Sequence, residues 1–195
     1  MSDPKEPSNG AEALHPDIAK VLLDADAIKR RVRELGERIT ADYAGRPPLL
    51  IGILRGSVLF LSDLMREIKL DCTVDFICLA SYEGGLSSTG VVRTLLDLRE
   101  SASGMDVLVV EDIVDTGLTL SYLLQSLRAR NPRTLEICTL LDKPDCRKAP
   151  VSPKYAGFKI PNEFVIGYGL DYQERYRNLP YIGVLKASAV SARKP

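Results

Sequence analysis

The chain has 195 residues, 45% of them apolar, which suffices for one well-buried core and is short for two. Lysine plus arginine (26) equals aspartate plus glutamate (26), so no global field draws the chain to nucleic acid or a membrane, and any basic patch is local. The four cysteines form no C-x-x-C pair, the single histidine is His15, and the start Met-Ser-Asp-Pro-Lys has no apolar run; this excludes a plausible zinc set and predicts buried free thiols in a cytoplasmic protein.

Residues 1–16, rich in Pro, Ser, Asn and charge, show no periodicity and read as a disordered leader. A single domain is expected over 17–187. Ile28, Val32, Leu35 and Ile39 mark one face of a helix, with Lys29, Arg30, Arg33 and Glu37 on its solvated sides. An apolar run at 49–54 ends at Arg55-Gly56, and Val58, Leu61, Leu64, Met65 and Ile68 follow as a helical stripe. Another strand is expected at 74–80. Residues 81–90 hold three glycines, three serines and one threonine, and read as a mobile flap that Ser81 opens, with Tyr82 near its hinge.

A β-branched run at 107–110 predicts a strand buried on both faces. Leu120, Leu123, Leu124 and Leu127 then give a helix ending near Arg130, and 135–141 a further strand. A Pro- and Lys-rich connection leads to 164–168, 171–177 and a short strand at 181–185, with a flexible tail at 188–195. No internal repeat is present. The alternation of strand and helix predicts an α/β fold, a parallel twisted sheet with helices on both faces. Ligands of such sheets gather at the carboxyl ends of the strands, where Arg55, Ser81, Asp112 and Lys143 would all project.

The most informative segment is 107–119, Val-Leu-Val-Val-Glu-Asp-Ile-Val-Asp-Thr-Gly-Leu-Thr. Where strand becomes helix, the amides of Thr116, Gly117, Leu118 and Thr119 would face outward unpaired, and a phosphate fits there without any lysine. Gly117 permits close backbone approach, and the Thr116 and Thr119 hydroxyls add donors. Glu111 and Asp112 are placed to accept hydrogen bonds from two vicinal hydroxyls or from magnesium-bound water. Taken alone, Thr-Gly-x-Thr reads equally as a capped helix start.

This segment resembles the ribose-phosphate signature of type I phosphoribosyltransferases, and its Glu-Asp-Ile-Val-Asp-Thr-Gly form resembles their hypoxanthine-guanine branch. Leu54-Arg55-Gly56-Ser57 is similar to that branch's pyrophosphate loop, and Ser81-Tyr82 to the start of its mobile loop. Lys143, Phe164-Val165, Asp171 and Arg177 are similar to its purine and pyrophosphate positions. The resemblance implies the type I fold with a small hood from the terminal segments, a cis Leu54–Arg55 peptide and a homodimer or homotetramer. It implies purine salvage: magnesium-dependent transfer of the 5-phosphoribosyl group of 5-phosphoribosyl 1-pyrophosphate to hypoxanthine or guanine, giving IMP or GMP.

Under that resemblance the segment from Asp115 to Thr119 holds the 5-phosphate, and Arg55, Gly56 and Arg177 the pyrophosphate. Glu111, Asp112 and Asp171 serve ribose and Mg2+. Asp115, after the ribose carboxylates and before the phosphate turn, handles a purine proton near N7. Lys143 donates to a 6-oxo group, which adenine lacks; a buried donor left unpaired costs about 1 to 3 kcal/mol. Phe164 stacks on the base and Val165 offers its backbone to the base edge. Two other readings stay open: a xanthine-preferring relative, and a nucleotide-sensing regulator that binds RNA or DNA. Balanced charge and the lack of an added DNA-binding helical module weigh against the second.

Overall fold

A computed structural model describes residues 14–81 and 92–191. Its main layer is a six-stranded sheet in the order β4-β3-β2-β5-β6-β7, formed by β2 (Leu49–Leu54), β3 (Thr73–Ser81), β4 (Val92–Leu96), β5 (Asp106–Val114), β6 (Thr134–Asp142) and β7 (Tyr155–Lys159). Every pairing is parallel except that of β3 with β4. The expected parallel twisted sheet is thus present, with β4 added antiparallel at its edge. The ten residues between these two strands are too few for the crossover of a dozen or more that a parallel neighbour requires, so the chain turns back. β7 lies in the stretch read as a mere connection, because Tyr-Ala-Gly-Phe-Lys lacks a clean apolar pattern.

Helices cover both faces, as expected. α1 (Ala25–Asp42) starts where Asp24 accepts a hydrogen bond from the Ala27 amide at 2.7 Å. It buries Ile28, Val32, Leu35 and Ile39 beside α2 (Val58–Glu67), and the two pack over Leu50, Leu108 and Val110. α3 (Leu118–Arg128) packs on the opposite face against Val107 and Val109 through Leu120, Leu123, Leu124 and Leu127. On α2 the buried arc is Phe60, Leu61 and Leu64, whereas Val58 and Met65, read as part of the stripe, are exposed. Helical spacing alone does not say which apolar row meets the sheet, and Phe60, with the largest buried side chain of this helix, decides it. Of the four thiols only Cys138 is fully buried.

A separate three-stranded antiparallel sheet, in the order β1-β9-β8, is built from β1 (Ile18–Leu23), β9 (Ile182–Leu185) and β8 (Val165–Ile166). It joins the two ends of the described chain. His15, placed by the sequence in the leader, receives no isolated surroundings: its amide donates to the Tyr181 hydroxyl at 3.1 Å and its ring meets Tyr176 edge-on. The tail expected to be flexible opens as a short helix, α4 (Ala187–Ser191). Among the described residues no helix is long and apolar enough to cross a membrane.

Two registers position the site. β2 and β5 pair Gly52 with Val110, which carries the loop after β2 to the level of Asp112. β5 and β6 pair Val114 with Asp142, and the Lys143 amide donates to the Val114 carbonyl at 2.9 Å. Asp115 and Lys143 therefore leave the sheet side by side.

Candidate active site

The turn expected to take a phosphate lies between the end of β5 and the start of α3. Gly117 caps the helix with φ of 75°, a left-handed conformation that a side chain would strain. Asp115 and Thr119 are exposed, as a ligand-facing turn requires. The Thr116 amide, expected to be unpaired, instead donates to Asp115 Oδ1 at 2.5 Å. A local carboxylate thus satisfies this orphan donor.

Glu111 and Asp112 have different surroundings, since consecutive strand residues alternate faces. Glu111 has a buried Oε2 with no hydrogen-bond partner among the described residues. Burial, reinforced by the charges of Asp112 and Asp115, holds its carboxyl well above the usual range. Asp112 is buried, and its Oδ1 accepts the Ile113 amide at 2.8 Å. Its pKa is pushed up to about 6, mainly by burial, although backbone hydrogen bonds and the Arg177 charge work in the other direction. Asp112 also feels the negative charge of Asp171.

The Leu54–Arg55 peptide is cis. Arg55 Nη2 donates to Glu174 Oε1 at 2.8 Å. Arg177 donates through Nη1 to the Gly169 carbonyl at 2.8 Å, and its Nη2 lies 2.8 Å from Asp171 Oδ1 and 3.2 Å from Glu174 Oε2. The backbone at Gly169 is packed so closely on the Gly56 carbonyl that a Cβ there would fall 2.0 Å from it. Arg55, Gly56, Asp171 and Arg177, scattered in sequence, thus form one patch beside Asp112. Glu174 joins them unannounced; its only signal was an acid three residues before Arg177.

On the other side of Asp115, Lys143 is buried, and its Nζ donates to the Glu163 carbonyl at 2.7 Å. An ammonium has three donors, so this bond leaves others for a ligand. A cavity of about 400 Å³ is lined by Asp115, Thr116, Lys143, Cys146, Arg147 and Asn162 among others. A larger cleft of about 560 Å³ runs between α1 and α2, away from these residues. Phe164 is exposed and meets Tyr172 edge-to-face at 5.7 Å, while Val165 is buried and pairs with Val184. Arg147 was not singled out by sequence, because a basic residue in a Pro- and Lys-rich stretch carries no pattern. Ser81 ends β3, and Tyr82 lies outside the described residues.

Among the described residues no group of three or more His, Cys, Asp or Glu side chains is arranged to hold a metal ion. The carboxylates still suit magnesium, which is commonly held by one or two carboxylates together with substrate phosphates and water. Glu111 Oε2 has no hydrogen-bond partner among the described residues and burial raises the pKa of both Glu111 and Asp112, so a bound cation would favour their ionised forms.

The mostly parallel sheet carries a glycine-capped turn, buried carboxylates and a cluster of arginines at its strand ends, and the chain is a phosphoribosyl transferase by its match to the phosphoribosyl transferase domain family over residues 19–173. It is 51% identical to a hypoxanthine-guanine phosphoribosyltransferase of Staphylococcus epidermidis, over 91% of this chain and 99% of that one. It is also 48% identical to the bifunctional protein TilS/HprT of Listeria innocua, of whose length it spans 28%. Among solved structures, a hypoxanthine phosphoribosyltransferase of Staphylococcus aureus superposes with a TM-score of 0.87 at 50% identity, covering 90% of this chain and 95% of that one. The Trypanosoma cruzi enzyme in complex with the product IMP superposes with a TM-score of 0.84 at 43% identity, over 90% and 98%. The chain belongs to the hypoxanthine-guanine phosphoribosyltransferases.

Proposed function

We propose that the protein transfers the 5-phosphoribosyl group of 5-phosphoribosyl 1-pyrophosphate to hypoxanthine or guanine, giving IMP or GMP and pyrophosphate, in the cytoplasm and as a homodimer or homotetramer. One observation carries the reading: the β5/β6 register sets Asp115 and Lys143 on the wall of one cavity, next to a turn shaped for phosphate. The reaction develops positive charge on the ribose while a polyanion departs, so the site must grip, neutralise and exclude water.

The 5-phosphate takes the amides of the turn. As it does so, the Thr116 amide exchanges Asp115 Oδ1 for a phosphate oxygen. The released Asp115 carboxylate is then free to accept the proton at purine N7. Lys143 donates to the 6-oxo group while keeping its bond to the Glu163 carbonyl, and Phe164 supplies an exposed ring for the base to stack on. Glu111 and Asp112 receive the ribose hydroxyls. Arg55 and Arg177 bind the leaving pyrophosphate in place of Glu174. Of the carboxylates Glu111, Asp112 and Asp171, which do not converge as a group of three, one or two together with substrate phosphates and water would hold magnesium, which when bound would offset the charge of the pyrophosphate.

The test is direct. Purified protein is incubated with the phosphoribosyl donor, magnesium and hypoxanthine, guanine, xanthine or adenine, and nucleotide products are separated by chromatography. IMP and GMP are expected, with little AMP. Absence of both would overturn the reading, and a clear preference for xanthine would move the assignment to that branch.

A further inference from the structure

Residues 144–149 follow Lys143 and pack against the carbonyl side of the phosphate turn. Arg147 Nη1 donates to the Asp115 carbonyl at 2.9 Å, while Nη2 pairs with the Asp142 carboxylate at the end of β6. The Lys148 and Ala149 amides both donate to the Thr116 carbonyl, at 2.9 and 3.1 Å. The aliphatic stem of Arg147 and the side chain of Val151 close over Gly117. The Arg147 and Asp142 side chains are 16% and 9% exposed, whereas Arg55 is 66% exposed. A guanidinium so enclosed, with both ends engaged, is fixed in a way that a surface arginine is not.

Peptide geometry turns these contacts into a direction. In a trans peptide the C=O and the N–H point opposite ways. Holding the Asp115 carbonyl on Arg147 therefore aims the Thr116 amide away from Arg147, and holding the Thr116 carbonyl on residues 148 and 149 does the same for the Gly117 amide. These are the first two donors of the turn.

We propose that Arg147 is a positioning residue for the phosphoribosyl donor: by tying the Asp115 carbonyl to the Asp142 carboxylate it orients the phosphate-binding amides and fixes Asp115 relative to Lys143. The assignment rests on the transferase reading above and adds to it a residue that touches no reacting atom. Arg147 and Lys143 stand at opposite ends of one turn of 3-10 helix, Pro144–Cys146, so the bracket that sets the phosphate site is continuous with the residue that reads the base.

The test uses the full chain with Arg147→Ala, Arg147→Lys and Asp142→Asn, and two readouts. In steady-state assays the donor KM is expected to rise about tenfold or more, as misdirected binding groups produce, while the hypoxanthine KM stays within about twofold. By calorimetry, ribose 5-phosphate is expected to bind each variant more weakly by a similar factor. Lysine should restore little, since a single ammonium cannot span both acceptors. Added guanidinium ion should recover part of the donor affinity of Arg147→Ala. If that variant fails to fold by circular dichroism, Arg147→Lys and Asp142→Asn decide. Unchanged donor KM and ribose 5-phosphate affinity in those two, or a defect confined to the hypoxanthine KM, would overturn the inference and leave the transferase reading intact. Failure of the unaltered chain to make any nucleotide would overturn that reading instead; the ribose 5-phosphate titrations then decide the role of Arg147, and no binding by the unaltered chain would overturn it too.

Discussion

Gly56 lies directly against Asp112: a methyl group added to Gly56 would fall 1.7 Å from the Asp112 Oδ2. The loop that follows β2 and the acid of β5 therefore share a space with no room for a side chain. Gly56→Ala must push the Asp112 carboxylate away or lift the Arg55 loop, at about 1 to 3 kcal/mol for overpacking. Because both groups are proposed to serve the donor, we expect kcat/KM for the donor to fall by about a hundredfold, on the scale of a misplacement near 1 Å. Steady-state kinetics paired with thermal melting check this; normal kinetics would show that the contact is idle.

Asp112 gives the chain a specific pH response. Its carboxyl titrates near 6, against 3.8 for the unperturbed group, mainly because it is buried. The folded state thus holds this proton more tightly than the unfolded state, so the Asp112 contribution favours folding below about pH 4 and is lost as pH rises to about 6. Two pKa units correspond to about 3 kcal/mol. Asp112→Asn should remove that contribution, so the difference in melting temperature between the two proteins should change across pH 4 to 6.5 and level off above. A constant difference across that range would refute the assignment. If Asp112 receives a ribose hydroxyl as proposed, the unaltered protein should gain donor affinity with rising pH in the same window, since the ionised carboxylate is the stronger, charge-assisted acceptor.

Glu174 holds Arg55 and Arg177 together, at 2.8 and 3.2 Å, where the leaving group is expected to bind. A carboxylate there competes with pyrophosphate for the same donors. Glu174→Gln should therefore tighten product inhibition by pyrophosphate by about twofold to tenfold, within the 0.2 to 1 kcal/mol of an exposed ion pair and somewhat beyond it for two. An inhibition constant that stays the same or weakens would mean that Glu174 supports the arginines rather than competing for them.

Lys143 is held on the Glu163 carbonyl, and Glu163 is in turn tied to Lys20 of β1 at 2.7 Å. Lys143→Met keeps the stem and removes the donors. We expect kcat/KM for hypoxanthine and guanine to fall by about ten- to a hundredfold, the value of one buried charged hydrogen bond, with the donor KM little changed and discrimination against adenine reduced. Parallel assays with the three bases measure it, and retained discrimination would transfer the role to backbone groups.

The legibility of this chain differed from one element to the next. The strand at β5 and helix α3 were readable because an unbroken apolar run and an i, i+3, i+4, i+7 repeat are local properties. The turn proposed for phosphate was readable because Asp115, Thr116, Gly117, Leu118 and Thr119 are contiguous. The exposed faces of Val58 and Met65 were not, since burial depends on which neighbour a helix meets. β1 and β7 escaped notice for the same reason: each becomes a strand only by pairing, β1 with β9 at the far end of the chain and β7 with β6.

By itself the sequence determined the alternation of strands and helices, the turn between β5 and α3 and the identity of the chemical groups, all of which are encoded over a few adjacent residues. Tertiary structure alone decided which groups meet. Arg147 reaches back 32 positions to the Asp115 carbonyl, and Glu174 reaches 119 positions to Arg55. Neither contact has a local signature, because a hydrogen bond between distant residues depends on strand register and loop path, and these are fixed only when the whole core closes.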